Sequence, residues 1–321
     1  MPDLALGSPR TAVCPAPREV DGSFDQFGDT FVPRGERRLA VRRWGDRSGQ
    51  PIFLLHGTPG SRLAVWPSDT ELKALGVCVI TYDRPGYGQS DPHPGRSVAD
   101  AAEDVAAIAD ALGYERFGVL GRSGGGPHAL ACAALLPERV TRAACLVGLA
   151  PFDAKGLNWL HGMVPSNQRH YEFAIRDPER LETFLLSRLA RIKKEPGRVL
   201  GEDPPGSQSG AVRADLELLG SAAAASITSS FVDALTSPAG WVSDSLAFIR
   251  PWNFDPRQIR VPILLWHGVR DVFSPVTHTR WLADRISTAD VRLSKGSTHL
   301  NAVEIQPQAI RWLLGQEFHA G

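Results

Sequence analysis

The pentapeptide Gly121-Arg122-Ser123-Gly124-Gly125 constrains this chain more than any other stretch. It stands directly between an apolar run at 117–120 and a helix-like segment at 128–136. An apolar run that enters Gly-x-Ser-x-Gly and leaves as a helix describes a strand turning sharply into a helix. Side chains have no room at the flanking positions of such a turn, and strained backbone angles cost least at glycine. The turn lifts the serine hydroxyl out of the sheet and sets it near the positive end of the following helix. Ser123 is therefore a candidate nucleophile. It calls for a base, an acid to orient that base, and donors for a developing oxyanion.

Each of these has a candidate in a fitting place. His299, in Ser297-Thr298-His299-Leu300, follows a strand-like run at 291–293 and precedes a final helical stretch at 303–314. A histidine there can lean across the sheet edge onto the serine as general base. Asp271 ends the segment Trp266-His267-Gly268-Val269-Arg270-Asp271, after a buried-strand pattern at 263–267, and is the candidate acid. Asp153 is its rival, because it too follows an apolar run, at 143–150. Either residue also fits the ordinary role of a loop aspartate, which is to cap a turn. The oxyanion donors are the backbone N–H groups of Gly124 and Thr58. Thr58 lies in His56-Gly57-Thr58-Pro59-Gly60 after the apolar run 52–55, and Pro59 has no N–H to give. His56 reads as structural, holding that loop through its ring nitrogens.

Short apolar runs alternate with helical patterns along most of the chain, which implies a parallel sheet covered on both faces. Residues 1–30 read as a tail, and 31–150 and 251–321 as two parts of one core. The stretch 39–44 reads as an edge strand, with an earlier strand near 31–32. Alternation stops over 151–250, where helical patterns dominate, and this segment reads as an inserted cap. Asp177-Pro178-Glu179 signals a helix start there. On that helix Leu181, Phe184, Leu185, Leu189 and Ile192 share one face, with Arg188, Arg191 and Lys194 on a solvated opposite face. A loop runs from Pro204-Pro205-Gly206 to Gly210. Trp159, Phe173, Trp241 and Trp252 are candidates to line a substrate pocket, with His161, Met163, Asn167 and Tyr171 as weaker ones.

The His56–Gly60 loop, the stretch Tyr82-Asp83-Arg84-Pro85-Gly86-Tyr87-Gly88-Gln89-Ser90-Asp91, the Ser123 turn, the Asp271 loop and His299 together resemble the α/β-hydrolase superfamily over roughly residues 35–318. The resemblance implies the α/β-hydrolase fold, with an inserted helical cap. It also implies an acyl-enzyme on Ser123, with His299 as base and Asp271 as acid, needing neither metal nor organic cofactor. In that fold the 83–91 loop is structural, and Asp83 and Arg84 can pair and cap it. Thr298 departs from the glycine that often precedes the histidine. The substrate expected is a carboxylic ester or lactone, with perhydrolysis as a side activity. Three alternatives stay open. One is an aminopeptidase of the proline-iminopeptidase type, for which Glu172, Glu179 or Glu182 would have to bind the substrate amine. The others are a carbon–carbon bond hydrolase and a non-catalytic ligand-binding protein. Epoxide hydrolases and haloalkane dehalogenases of the superfamily use an aspartate nucleophile, which Ser123 argues against.

Lys plus Arg and Asp plus Glu both number 35, so the net charge is zero and a nucleic-acid partner is not expected. No apolar run approaches the length of a membrane span, and the first residues carry no apolar leader core. The expected setting is cytoplasmic, the expected partner a small ester-like molecule, and a homodimer is compatible with the reading. Cys78, Cys132 and Cys145 sit in apolar runs, as reduced core thiols would. Cys14 lies in the tail.

Overall fold

The computed structural model describes residues 28–195 and 209–319. Cys14, nearly all of the tail and most of the 204–210 loop lie outside the described residues. The core begins with β1 (Thr30–Arg34), β2 (Arg37–Gly45), β3 (Gln50–Leu55), α1 (Asp69–Ala74) and β4 (Val77–Tyr82). It continues through α2 (Asp100–Leu112), β5 (Phe117–Arg122), α3 (Gly125–Leu135) and β6 (Val140–Leu146). A helical insertion follows, formed by α4 (Pro165–Arg176), α5 (Pro178–Lys194), α6 (Gly210–Leu218), α7 (Ala222–Ala234) and α8 (Ala239–Ile249). The chain then returns to the sheet with β7 (Ile263–Gly268), α9 (Thr277–Ala283), β8 (Ala289–Ser294), α10 (Asn301–Glu304) and α11 (Gln306–Leu313).

The eight strands lie in the order β1-β2-β4-β3-β5-β6-β7-β8. From β4 to β8 all neighbours are parallel, while β1 and β2 add on antiparallel. The 39–44 strand is therefore not an edge, because β1 covers it. Every residue of β4, β5 and β7 is buried. Side chains alternate between two apolar layers. Phe53 and Leu55 pack with α2 and α3, and Ile52 and Leu54 pack with Leu313 and Trp312 of α11. A strand covered on both faces favours apolar residues on both, which is why these runs read as near-continuous apolar sequence, with Thr81, Arg122 and His267 coming only toward their carboxyl ends. The connection reverses direction at β3, whose neighbours are β4 and β5. Loops at the carboxyl ends of two such strands form a crevice suited to a ligand.

Local signals explain the helix ends. Asp177 accepts a hydrogen bond from the Arg180 N–H at 3.1 Å and Pro178 takes the first turn of α5. Gly113 closes α2 with a left-handed φ of 77°. The α5 stripe Leu181, Leu185, Leu189 and Ile192 packs with Val212, Ile227, Phe231 and Trp241 in a cluster of the insertion, which also takes in Phe273 and Leu300 from the core loops. Arg188 departs from the solvated face expected of it. It is 2% exposed, and its guanidinium lies 4.9 Å from the centre of the Trp241 ring. Its long aliphatic stem and flat cation let it join an aromatic layer that a lysine would fit less well. Cys78, Cys132 and Cys145 are buried free thiols. Among the described residues no helix is long and apolar enough to cross a membrane.

Candidate active site

At the carboxyl end of β5 the chain turns through Ser123, whose φ of 54° is left-handed. The flanking glycines do not carry the strain expected of them; the serine does, at a cost of about 1–3 kcal/mol. Glycine is required for space. A Cβ on Gly121 would stand 2.2 Å from the Gly125 carbonyl oxygen, and one on Gly125 would stand 2.1 Å from that of Leu55. The turn is held by bonds from the Ser123 N–H to Leu146 O and from the Gly126 N–H to Ser123 O, both 2.8 Å.

The loops after β7 and β8 bring the other two residues to this turn. His299 Nε2 lies 3.0 Å from Ser123 Oγ, and His299 Nδ1 lies 2.7 Å from Asp271 Oδ2. With Nδ1 protonated toward the carboxylate, Nε2 is left to accept the serine proton. Asp271 is fixed in turn. Its Oδ1 accepts the N–H groups of Phe273 at 2.8 Å and Ser274 at 3.1 Å. His267, the penultimate residue of β7, places Nε2 at 2.6 Å from Ser274 O and 3.3 Å from Asp271 Oδ2. Burial would raise the Asp271 pKa, but the charge of His299 and the bonds from both histidines hold it well below the usual carboxylate range. Burial lowers the His299 pKa; the Asp271 charge and hydrogen bond, with the Asp215 charge, outweigh that and leave it raised above 6.5. Asp153, the rival acid, is exposed in a surface groove beside Trp252.

Thr58 and Gly124 face each other across the mouth of the turn: a Cβ on Gly124 would come within 3.1 Å of Thr58 N. Neither N–H has a protein acceptor among the described residues. His56 is structural in position. Its Nδ1 lies 2.7 Å from Gly57 O, and its Nε2 accepts the Arg84 N–H at 3.1 Å. Asp83 and Arg84 do not pair. Asp83 binds Arg62 at 2.6 Å, while Arg84 turns the other way and binds Asp244 of α8 at 2.6 Å. Adjacent residues on an extended segment point to opposite sides, so each finds a partner on its own side. Arg84 also donates to Gly57 O and to Thr58 Oγ1, both at 3.1 Å, and Thr58 Oγ1 donates to Asp244 Oδ2 at 2.5 Å. Asp244 thus ties the insertion to the 56–60 loop. Burial would raise its pKa, but the charges of Arg84 and Arg96 hold it well below the usual range.

A pocket opens above Ser123. Its apolar wall includes Ile227, Phe231, Trp241, Phe248 and Phe273, and its polar groups include Asn167, His170 and Tyr171. Of the four aromatics expected there, Trp241 alone lines it. Trp159 is buried and donates its indole N–H to Ala150 O at 2.8 Å. Phe173 packs on Phe184 within the insertion, and Trp252 stacks on Phe254. Aromatic content alone carries no direction, and these three rings serve packing. Of the weaker candidates, Asn167 and Tyr171 line the pocket, Met163 is in the core and His161 is exposed. The sequence reading missed Asp244 and Asp215. The signal was an aspartate on an apolar helix face: Asp244 shares its buried face with Trp241, Ala247 and Phe248, and Asp215 shares one with Ala211 and Val212.

A family model for the alpha/beta hydrolase fold matches residues 50–303, from β3 through the His299 loop. The chain belongs to that family. A non-heme chloroperoxidase of Streptomyces lividans is 35% identical over 122 residues, 36% of this chain and 43% of that protein. A proline iminopeptidase of Xylella fastidiosa is 31% identical over 111 residues, 32% of this chain and 34% of that protein. The matches span less than half the length of these relatives. The crystal structure of an enol-lactonase from Burkholderia xenovorans LB400 superposes with a TM-score of 0.59 at 20% identity, covering 89% of this chain and all of that one. The last similarity speaks for the shared α/β-hydrolase fold.

Proposed function

We propose that this protein hydrolyses carboxylic esters or lactones through an acyl-enzyme on Ser123. The observation that carries the reading is the unbroken chain from Ser123 Oγ through the two ring nitrogens of His299 to Asp271. In the first half-reaction Ser123 Oγ attacks the carbonyl carbon as its proton passes to His299 Nε2. The oxyanion so formed takes hydrogen bonds from the Thr58 and Gly124 N–H groups, and Asp271 stabilises the imidazolium. Collapse breaks the acyl–oxygen bond, and His299 protonates the departing alkoxide. Water then repeats the sequence: it loses a proton to His299, attacks the acyl carbon, and releases the acid and Ser123.

An ester or lactone is favoured over an aminoacyl substrate by the lining of the pocket. Among the described lining residues none is acidic, and Glu172, Glu179 and Glu182 are exposed on the insertion. Among the described residues of the pocket wall, a cationic substrate amine would meet no carboxylate. The test is turnover of p-nitrophenyl esters of increasing acyl length beside lactones and aminoacyl anilides. Hydrolysis of esters or lactones well ahead of anilides is expected. A preference for aminoacyl anilides would overturn the assignment.

A further inference from the structure

The Asp215 carboxylate, on α6 of the insertion, lies against the His299 loop. It is 0% exposed. Its Oδ1 accepts the Thr298 hydroxyl at 2.6 Å and the Leu300 N–H at 2.7 Å, so it grips the residues on both sides of His299. Its Oδ2 is buried with no hydrogen-bond partner among the described residues. A serine or asparagine oxygen could accept the same two bonds without the cost of burying a charge, which is large for an unpaired carboxylate. Among the described residues no arginine or lysine forms an ion pair with Asp215; burial raises its pKa above the usual carboxylate value, and the charge of His299 with the bonds from Thr298 and Leu300 works against that rise. Thr298 gains a purpose here: its hydroxyl is the handle that a glycine would lack.

We propose that Asp215 is a positioning residue for the general base, holding Thr298 and Leu300 so that His299 reaches Ser123, and adding its charge to that of Asp271 in support of the imidazolium. The inference rests on the reading of His299 as base. The other groups around His299 come from separate elements. Asp271 and Ser274 come from the loop after β7, with His267 acting on Asp271 from within that strand. Ser123 is at the elbow, and Arg122, at the end of β5, has a charge that opposes the imidazolium. Arg122 donates to Gln306 Oε1 at 3.1 Å and is not ion-paired among the described residues. Asp215 therefore stands with Asp271 on the side that favours the charged ring, against Arg122.

Two substitutions separate grip from charge. Asp215→Asn keeps an oxygen for both bonds and removes the charge. The acidic limb of its kcat/KM profile should move to lower pH by ~1 unit, the scale on which a neighbouring opposite charge acts, with KM little changed. Asp215→Ala removes both bonds. Its kcat should fall ~10- to 100-fold, as expected when a reacting group is displaced by about 1 Å. Should the alanine variant fail to fold, Thr298→Val tests the grip and Thr298→Ser restores the hydroxyl and should restore kcat. An unshifted limb in Asp215→Asn, or alanine and valine variants altered in KM or stability alone, would overturn the proposal. Ser123→Ala, assayed alongside, keeps the two readings apart. If it is inactive while the Asp215→Asn limb stays in place, this inference alone fails. If it remains active, the reading of the site itself fails.

Discussion

His299 can accept the Ser123 proton only when neutral, so the groups around it set the pH at which the site works. Its pKa is raised by Asp271 and Asp215 against the effect of burial. A raised pKa means that the neutral base is lost sooner as pH falls. The kcat/KM profile should therefore climb along an acidic limb centred above pH 6.5. Asp271→Asn removes the nearer anion; the limb should move down in pH, and turnover should drop on the order of 10³- to 10⁴-fold. Asp153→Asn should change neither. A profile flat from about pH 5 to pH 8 would show that histidine does not titrate in this reaction. Ser123, Asp271 and His299 were legible in the sequence because each follows a run that announces a strand, apolar before Ser123 and Asp271 and alternating before His299, and the carboxyl ends of parallel strands lie on one side of the sheet. Asp83 and Arg84 were legible as a motif but not as partners. Their true partners, Arg62 and Asp244, are distant in the chain, and no local pattern encodes them.

The helical insertion separates into elements that line the pocket over Ser123 and elements that pack away from it. Trp241 of α8 lines the pocket. Trp241→Ala should change the ranking of acyl chain lengths, with shifts of ~10- to 200-fold in relative kcat/KM if it meets the acyl chain. Trp159 is packed between Phe152, Tyr171 and His278, behind the pocket-lining Tyr171 and outside the lining itself. Trp159→Ala should cost about 3–5 kcal/mol in urea unfolding and leave the ranking in place. A change of ranking from Trp159 and none from Trp241 would reverse these roles. A sequence shows that a helix has an apolar face but not what that face meets. This is why Trp159, Phe173 and Trp241 could not be told apart before the fold was known. Arg188 illustrates the converse: a cation in a helical pattern reads as surface until an aromatic layer is found over it.

Across the whole molecule, buried charge stitches the insertion to the sheet. Asp244 of α8 meets Arg84 and Arg96 of the core, and Asp233 of α7 meets Arg62, which also holds Asp29 and Asp83. The two parts should therefore unfold together, in one transition seen alike by tryptophan fluorescence and far-ultraviolet circular dichroism. Asp244→Ala strands two buried guanidinium groups and should cost about 3–5 kcal/mol, the range for breaking a buried pair from one side. Two resolved transitions in the wild-type protein would contradict this coupling. The parallel sheet was readable from alternation alone, but the stitching was not, because it depends on carboxylates meeting cations across long stretches of chain. The central claim is that Ser123 is a nucleophile activated by His299. Its most direct test is reaction with a fluorophosphonate, followed by peptide mapping by mass spectrometry. A single adduct on Ser123 is predicted, absent from Ser123→Ala and formed far more slowly in His299→Ala. A folded wild-type protein that takes no adduct, or takes it on another residue, would contradict the account.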